Sequence, residues 1–198
     1  MIIDYLTLEE RNLLKLVTFK KGEILFHEHD SCDELGIINK GEVIIASLTY
    51  EGNEIIYNSL EAGAIFGNNL IFSSDNRFRG DVKARKDGEL YLIKKDNLIK
   101  VLMENKRFLL SYLSFNSDFT KELNSQIKLL SFNSAKERLL YYLFLNDNKI
   151  IIKSVTSLAG ALYLSREATS RLLSELEKEK IIERNNNEIT LIDSSFFF

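Results

Sequence analysis

Four polar residues between positions 166 and 171 have the types and the spacing needed to contact DNA bases. Arg166, Glu167, Ser170 and Arg171 form two pairs set four residues apart, so a helix places all four on one side. An arginine guanidinium donates to guanine O6 and N7, and a glutamate carboxylate accepts from cytosine N4. Arg166 stands in the predicted first turn, where a cation opposes the helix dipole at a cost of about 0.3–1 kcal/mol. A charge placed against local preference indicates a function.

The elements that must position these residues are two helices joined by a tight turn, predicted within 158–184. The second helix has an apolar face that we expect to be buried, formed by Ala168, Thr169, Leu172, Leu173 and Leu176. Ser165 is its predicted N-cap, and Glu167 in the first turn suits the helix dipole. Glu167 and Arg171 also have the spacing of a surface ion pair. Such a pair is compatible with base contacts, because it can hold both side chains in place.

The run SREATSR at 165–171, followed by a leucine-rich helix and IIER at 181–184, resembles the helix-turn-helix of the Crp–Fnr transcription regulators. The resemblance implies a homodimer on double-stranded DNA, a palindromic site with TGA-type half-sites, and RNA polymerase as a further partner. The positions expected to contact base edges are Arg166, Glu167, Arg171 and, as in the Fnr-like branch, Ser170.

Three serines and one tyrosine around the helix pair add to this interpretation. Ser154 is the predicted N-cap of the first helix and Ser157 lies one turn further on, so both are candidate phosphate contacts through a hydroxyl or an N–H group. Ser165, the N-cap of the second helix, is also a candidate DNA contact. A simple cap explains Ser154 equally well. Tyr163 lies in the turn, where many members of the family have glycine. A positive φ there would strain a non-glycine residue.

Composition limits the compartment and the class of protein. The 198 residues, 45% hydrophobic and 28% charged, suit two small folded domains. The net charge of −3 gives no overall basic character, so DNA binding has to be local. The sequence contains no apolar run long enough for a membrane span and no signal-peptide pattern. A single cysteine, Cys32, excludes an internal disulfide framework, and together these features predict a cytoplasmic protein.

Between Phe19 and Ile93 the sequence predicts short strands separated by glycine and Asn/Asp turns. Their even spacing indicates a barrel or jelly roll. The expected strands are Ile24–Phe26, Gly36–Ile38, Val43–Ala46, Ile55–Tyr57 and Leu90–Ile93. Before them, a capping box at Thr7 and Glu10 predicts a short helix that continues through Leu13, Leu14, Leu16 and Val17.

This region resembles the cyclic-nucleotide-binding β-roll of the same family. The resemblance lies in three motifs that occur in the family's order, Lys21-Gly22-Glu23, Lys40-Gly41-Glu42-Val43 and Gly63-Ala64-Ile65-Phe66-Gly67. The predicted fold class is α+β, with an N-terminal double-stranded β-helix (jelly-roll) sensor domain, a long dimerisation helix and a C-terminal winged helix-turn-helix. We place the first domain at 1–132 and the DNA-binding domain at 133–198.

The dimerisation helix is expected at about 106–131. Its apolar residues recur at three- and four-residue steps: Phe108, Tyr112, Phe115, Phe119, Leu123, Ile127 and Leu130. The resemblance implies a two-fold seam, and the alternative is a core helix within one chain. Pairing doubles the number of bases that one protein reads. After this helix we expect a capped helix at Ser134, a strand at Ile150–Ile152 and a hairpin wing at 181–192. The tail Phe196–Phe198 either packs on the domain or adheres to other surfaces.

The effector site departs from that of cyclic-nucleotide binders. In those proteins the Phe-Gly motif is followed by a glutamate that holds the ribose, and later by Arg-Ser, which holds the phosphate. Here Asn68 follows Gly67, and the Arg-Ser positions align with Phe78 and Arg79. We therefore predict that cAMP is not the ligand. Asn68, Arg77 and Arg79 are candidates for binding another anionic effector. For the two arginines, the alternative is that they are ordinary surface charges. A further alternative is a regulator that is constitutively active and has no effector.

Other sensor chemistries find little support, and no cofactor is expected. One cysteine cannot hold an iron–sulfur cluster. His27, His29 and Cys32 are potential haem ligands, but two histidines in a strand-to-turn segment are more often ordinary polar residues. Nothing in the setting of Cys32 indicates a lowered pKa and hence a redox role.

A metal-binding cupin-like protein is the alternative function. His27, His29, Glu34 and Gly41 match the spacing H-x-H-x4-E-x6-G, and two histidines with a glutamate can bind Fe(II), Mn(II) or Zn(II). Cupins normally add a further histidine, which a chain with two histidines lacks. The main interpretation has no catalytic residue and no bound metal, so we expect no enzyme.

Overall fold

A computed structural model describes residues 1–192 of the chain, and the tail Phe196–Phe198 lies outside them. The chain forms two compact units, the first Met1–Asp118 and the second beginning at Phe119. The dividing point falls inside a single long helix, whose first half packs on one core and whose last turns contribute to the other. The domain boundary expected after residue 132 stays a prediction. Within residues 1–192 no helix combines the length and the apolar character that a membrane span requires.

The first unit is a β-roll with helices at both ends of its sequence. After a 3-10 helix (Ile2–Tyr5), its elements are α1 (Leu8–Arg11), β1 (Lys15–Phe19), β2 (Ile24–Phe26), β3 (Glu34–Lys40), β4 (Glu42–Leu48), β5 (Glu54–Glu61), β6 (Ile65–Phe66), β7 (Asp81–Ala84), β8 (Gly88–Lys94), α2 (Lys95–Glu104) and the first half of α3 (Lys106–Ser131). The strands form two antiparallel sheets, in the orders β1-β8-β3-β6 and β2-β7-β4-β5. The predicted jelly-roll architecture is confirmed.

The N-terminal helix is shorter than predicted. The capping box is present, since the Thr7 hydroxyl accepts from the Glu10 N–H and the Glu10 carboxylate accepts from the Thr7 N–H. However, α1 ends at Arg11, and Lys15–Phe19 pairs as a strand with Gly88–Leu92. The partner strand lies far along the chain, so local sequence gave no sign of this pairing. The short strands β6 and β7 also escaped prediction.

The roll encloses one apolar core. Its fully buried side chains include Leu35, Ile37, Ile38, Phe66, Leu90 and Ile93. The ring of Phe66 lies against Gly36, where a Cβ atom would come within 2.0 Å of it. Only glycine therefore lets β3 and β6 approach this closely. Leu98 of α2 and Phe108 of α3 are fully buried in the same core and hold both helices on the roll.

The second unit is a winged helix. Its elements after α3 are α4 (Ala135–Leu145), β9 (Lys149–Ile151), α5 (Val155–Leu162), α6 (Arg166–Lys178), β10 (Ile182–Asn185) and β11 (Glu188–Leu191). The three strands form an antiparallel sheet in the order β10-β11-β9. Leu139, Leu143, Leu162 and Leu173 are fully buried at its centre. The predicted winged helix-turn-helix is confirmed, as is the capping box of Ser134 with Glu137.

Candidate nucleic-acid interface

The start of α6 is fixed by hydrogen bonds from Ser165. Its Oγ accepts from the Ala168 N–H at 3.1 Å, as expected of an N-cap. Its carbonyl oxygen accepts from the Thr169 hydroxyl at 3.0 Å, and Thr169 is fully buried. The hydroxyl of a buried threonine is thereby satisfied, and the first turn of α6 has a defined orientation on the core.

The two faces of α6 are divided as predicted. The side facing the core buries Thr169, Leu172, Leu173 and Leu176, with Ala168 partly buried beside them. The opposite side exposes Arg166, Glu167, Ser170 and Arg171. A single exposed side of a helix thus carries two guanidinium groups, one carboxylate and one hydroxyl. These are the groups that pair with base edges in a major groove, although the base contacts themselves stay predictions.

The surface ion pair considered for Glu167 and Arg171 does not form in the described part of the chain. Ion pairs instead lie at the other end of α6, where Glu177 is 3.5 Å from Arg184 and Glu179 is 2.8 Å from Lys136. These pairs offset negative charge near the wing. The positive charges of Arg166 and Arg171 are therefore not offset by a neighbouring carboxylate within 4 Å in residues 1–192.

Ser154 caps α5 in a reciprocal arrangement with Ser157. The Ser154 Oγ accepts from the Ser157 N–H at 3.1 Å, and the Ser157 Oγ accepts from the Ser154 N–H at 3.1 Å. The Ser157 hydroxyl also donates to the Ser154 carbonyl oxygen at 2.7 Å. The capping role is confirmed. A phosphate contact by Ser154 stays a prediction. In such a contact the exposed Ser154 hydroxyl would donate its hydrogen to a phosphate oxygen.

The turn between α5 and α6 contains a strained tyrosine. Tyr163 has φ 55° and ψ 44°, and its N–H donates to the Gly160 carbonyl oxygen at 3.2 Å. This left-handed conformation costs a non-glycine residue about 1–2 kcal/mol. The side chain is 53% exposed, so packing offsets little of that cost. The positive φ considered for this position is therefore observed.

The three effector candidates lie in different surroundings. Asn68 is buried and its Nδ2 donates to the Asn116 Oδ1 at 2.9 Å. Arg79 is exposed and forms a 2.7 Å ion pair with Asp75, which is the ordinary surface role considered for it. Arg77 is exposed as well. Between the two arginines, Phe78 is buried and stacks on Phe26 at 5.1 Å. No contact in residues 1–192 gathers the three candidates, and their role in binding an effector stays a prediction.

The cupin-like alternative is wrong for the described residues. No group of three or more His, Cys, Asp or Glu side chains in that part of the chain is placed to hold a metal ion. His27 Nδ1 lies 3.7 Å from an Asp81 oxygen, and its side chain is mostly exposed. His29 has a positive φ of 73°, which breaks the strand geometry that the motif would need.

Cys32 lies in a buried setting that disfavours the thiolate form of its side chain. The residue is buried, and its Sγ is 3.5 Å from the Glu34 carbonyl oxygen and 3.7 Å from that of Gly67. Burial, followed by the nearby charge of Asp33, raises the pKa of the Cys32 thiol to about 11. Since the thiolate is the reactive form, this environment gives no support to a redox role.

A polar contact between the roll and α3 was missed at the level of sequence. Asn116 accepts from Asn68 and donates to the Tyr112 carbonyl oxygen at 2.8 Å. The sequence carried no distinguishing signal, because Asn116 is the first of three consecutive polar residues, Asn116-Ser117-Asp118, between Phe115 and Phe119. The partner of Asn116 lies 48 residues away, and sequence spacing could not identify it.

Known proteins match both units. Residues 16–105 match the cyclic nucleotide-binding domain family, and residues 137–195 match the Crp-like helix-turn-helix domain family. The anaerobic regulatory protein of Bacillus subtilis (strain 168) is 26% identical over 194 residues, covering 90% of this chain and 82% of that protein.

Two solved structures share the fold across nearly the whole chain. A CooA variant from Carboxydothermus hydrogenoformans has a TM-score of 0.65 at 24% identity, covering 92% of this chain and 85% of the other. The catabolite activator protein of Thermus thermophilus has a TM-score of 0.56 at 19% identity, with coverages of 98% and 95%. The order of the two matched domains is the order of the two units described above.

Proposed function

We propose that this chain, which belongs to the Crp–Fnr superfamily of DNA-binding transcription regulators, reads a palindromic site with TGA-type half-sites as a homodimer. The observation that carries the proposal is the division of α6 into a buried leucine face and an exposed polar face. A polar face at the start of the second helix of a helix-turn-helix is the part that enters a major groove.

The exposed residues supply complementary base contacts. Arg166 and Arg171 would each donate two hydrogen bonds to a guanine, and Glu167 would accept from a cytosine N4. A TGA half-site presents one guanine, and the cytosine paired with it lies on the complementary strand, which reads TCA. This one base pair can serve Glu167 and one of the two arginines, so the other arginine would need a guanine beside the TGA core. Ser170 provides a hydroxyl one turn after Arg166, and the capped starts of α5 and α6 at Ser154 and Ser165 would meet phosphates.

The dimer is proposed to form along α3. The helix exposes large apolar side chains at helical spacing, namely Leu110, Leu113, Leu123, Ile127 and Leu130. Phe108 and Tyr112, which belong to the predicted stripe, instead lie buried in the core of the first unit. An exposed apolar stripe of this length favours a partner surface. Two-fold pairing would place two copies of α6 about one DNA turn, ~34 Å, apart.

We also propose that cAMP does not control this protein. The position of the ribose-binding glutamate carries Asn68, which is buried and bonded to Asn116. One arginine position carries Phe78, which fills the core of the roll. The chain offers one buried cysteine and no cluster of metal ligands within residues 1–192, so neither an iron–sulfur cluster nor haem is proposed. As a regulator it would meet DNA and RNA polymerase in the cytoplasm.

Substitution of Arg171 tests base reading directly. Fluorescence anisotropy would compare the affinities of wild-type protein and Arg171→Ala for a TGA-type palindrome and for a scrambled duplex at constant salt. We expect Arg171→Ala to lose about 1–3 kcal/mol on the palindrome and little on scrambled DNA, because the lost contact is to a base. Arg11→Ala, an exposed arginine in α1, is the matched control and should behave as wild type. Equal losses on both duplexes would assign Arg171 to a phosphate and contradict base reading.

A further inference from the structure

Three residues join the roll to α3 by a ring of three hydrogen bonds, here called the Asn68 network. The Asn68 Nδ2 donates to the Asn116 Oδ1 at 2.9 Å. The Asn116 Nδ2 donates to the Tyr112 carbonyl oxygen at 2.8 Å, and the Tyr112 hydroxyl donates to the Asn68 carbonyl oxygen at 3.3 Å. Each of the three residues therefore both donates and accepts within the network.

The network lies in a protected part of the first unit. Asn68 is 8% exposed and Tyr112 is 5% exposed, while Asn116 is partly buried. The Tyr112 ring also packs edge-on against Phe72 at 6.4 Å. Burial raises the pKa of the Tyr112 phenol, so its hydroxyl remains protonated and keeps donating at neutral pH. In such a setting a polar group that loses its partner is destabilising, so the network resists opening.

The loop that presents Asn68 is itself fixed. Gly67 has φ 80°, and a Cβ atom there would come within 2.8 Å of the Cys32 Sγ. The Gly67 carbonyl oxygen accepts from the N–H groups of Leu70 and Ile71 at 3.0 and 2.8 Å. This tight turn follows β6 directly, so the position of Asn68 is determined by the sheet. The network therefore ties α3 to the sheet and not to a mobile loop.

We propose that the Asn68 network holds α3 in its DNA-binding position on the roll, so that the chain binds its site without a small-molecule effector. The inference rests on the proposed function and deepens it. The same first half of α3 exposes Leu110 and Leu113, part of the proposed dimer seam. Holding the helix on the roll therefore also fixes where that seam is presented. Asn68, Tyr112 and Asn116 are positioning residues, since they act on DNA only through α3.

The test measures DNA affinity of purified full-length protein with no added metabolite. The variants are Asn68→Ala and Asn116→Ala, and Tyr112→Phe removes only the hydroxyl and keeps the ring against Phe72. Asn69→Ala is the matched control, because Asn69 is the exposed neighbour of Asn68. Each protein is titrated with the TGA-type palindrome and with scrambled DNA, and its thermal unfolding is recorded alongside.

We expect wild type and Asn69→Ala to prefer the palindrome without any additive. The three network variants should lose about tenfold on the palindrome while their affinity for scrambled DNA is unchanged. Asn68→Ala combined with Asn116→Ala should cost no more than either change alone, because both open the same network. Binding to scrambled DNA reports the amount of folded protein, so a variant that is merely unfolded loses affinity for both duplexes. If all three network variants lose affinity for both duplexes, the proposal fails.

Two results would overturn the proposal while leaving the proposed function intact. In the first, all network variants, including Tyr112→Phe, bind the palindrome as tightly as Asn69→Ala does. In the second, the wild-type protein prefers the palindrome only after a cell metabolite extract is added. If wild type shows no preference for the palindrome with or without extract, the proposed function itself fails.

Discussion

Tyr163 shows how a single residue can depart from local preference inside a well-formed motif. Its left-handed backbone connects α5 to α6, and glycine adopts this conformation with no steric cost. The side chain is half exposed and its N–H is bonded within the turn, so the strain is balanced by few contacts. We therefore expect the tyrosine to reduce the stability of the second unit.

Replacement of Tyr163 should make the second unit more stable. We expect Tyr163→Gly to raise the free energy of unfolding by about 0.5–1 kcal/mol, because the relief of left-handed strain exceeds the extra chain entropy of glycine. Chemical denaturation followed by circular dichroism measures the change. Asn186→Gly is the control, since Asn186 has the same φ of 55° but asparagine tolerates it. A Tyr163→Gly protein less stable than wild type would mean that the phenol makes contacts that outweigh the strain.

Single residues also mark the limit of sequence reasoning. The four polar residues of α6 were identifiable because their spacing of three to four residues is a local property of a helix. The partnership of Asn68 with Asn116 depends on a β-roll that brings distant segments together, and no local pattern encodes it. The sequence shows that Asn68 departs from the family's glutamate, but its partner, Asn116, is visible only in the folded structure.

At the scale of elements, the start of α6 combines a stabilising cap with the proposed DNA contact. The Ser165 hydroxyl accepts from the Ala168 N–H, and the residue remains exposed beside Arg166. One side chain thus determines where the helix begins and lies where a phosphate is expected. Substitutions can separate these two roles, because aspartate and asparagine are both good N-caps and differ in charge.

We expect Ser165→Asp to keep the stability of wild type and to lose affinity for both palindromic and scrambled DNA, because a carboxylate at this position repels phosphates. Ser165→Asn should keep both stability and affinity. Ser165→Ala should lose about 1 kcal/mol of stability through the missing cap. Anisotropy titrations and denaturation curves on the same samples provide the measurements. If Ser165→Asp binds DNA as well as Ser165→Asn does, the start of α6 does not lie at the DNA backbone.

Elements defined by local signals were predicted, and those defined by distant pairing were not. Helices α4, α5 and α6 begin at serine caps and carry apolar residues at helical spacing, which the sequence displays directly. By contrast, β1 follows a helix cap and contains leucine and valine at positions compatible with a helix. Its strand conformation results from pairing with β8, some seventy residues later, between Lys15 and Leu92 at one end and Phe19 and Gly88 at the other.

At the scale of the whole molecule, DNA binding must overcome an unfavourable net charge. The chain carries −3 overall, so attraction to DNA depends on where charges lie and not on their sum. Arg166 and Arg171 are exposed on α6, and several acidic groups of the second unit are paired with cations, as in Lys149 with Glu188. The proposed dimerisation would add a second reading helix, and the additional base contacts would compensate for weak general attraction.

If two copies of α6 read bases together, the purified full-length chain should select a two-fold symmetric sequence from a pool of random duplex DNA. We expect enrichment of two TGA-type half-sites as an inverted repeat, with centres about 10 base pairs apart. Enrichment of an isolated half-site, or of no sequence at all, would contradict joint reading by the two helices.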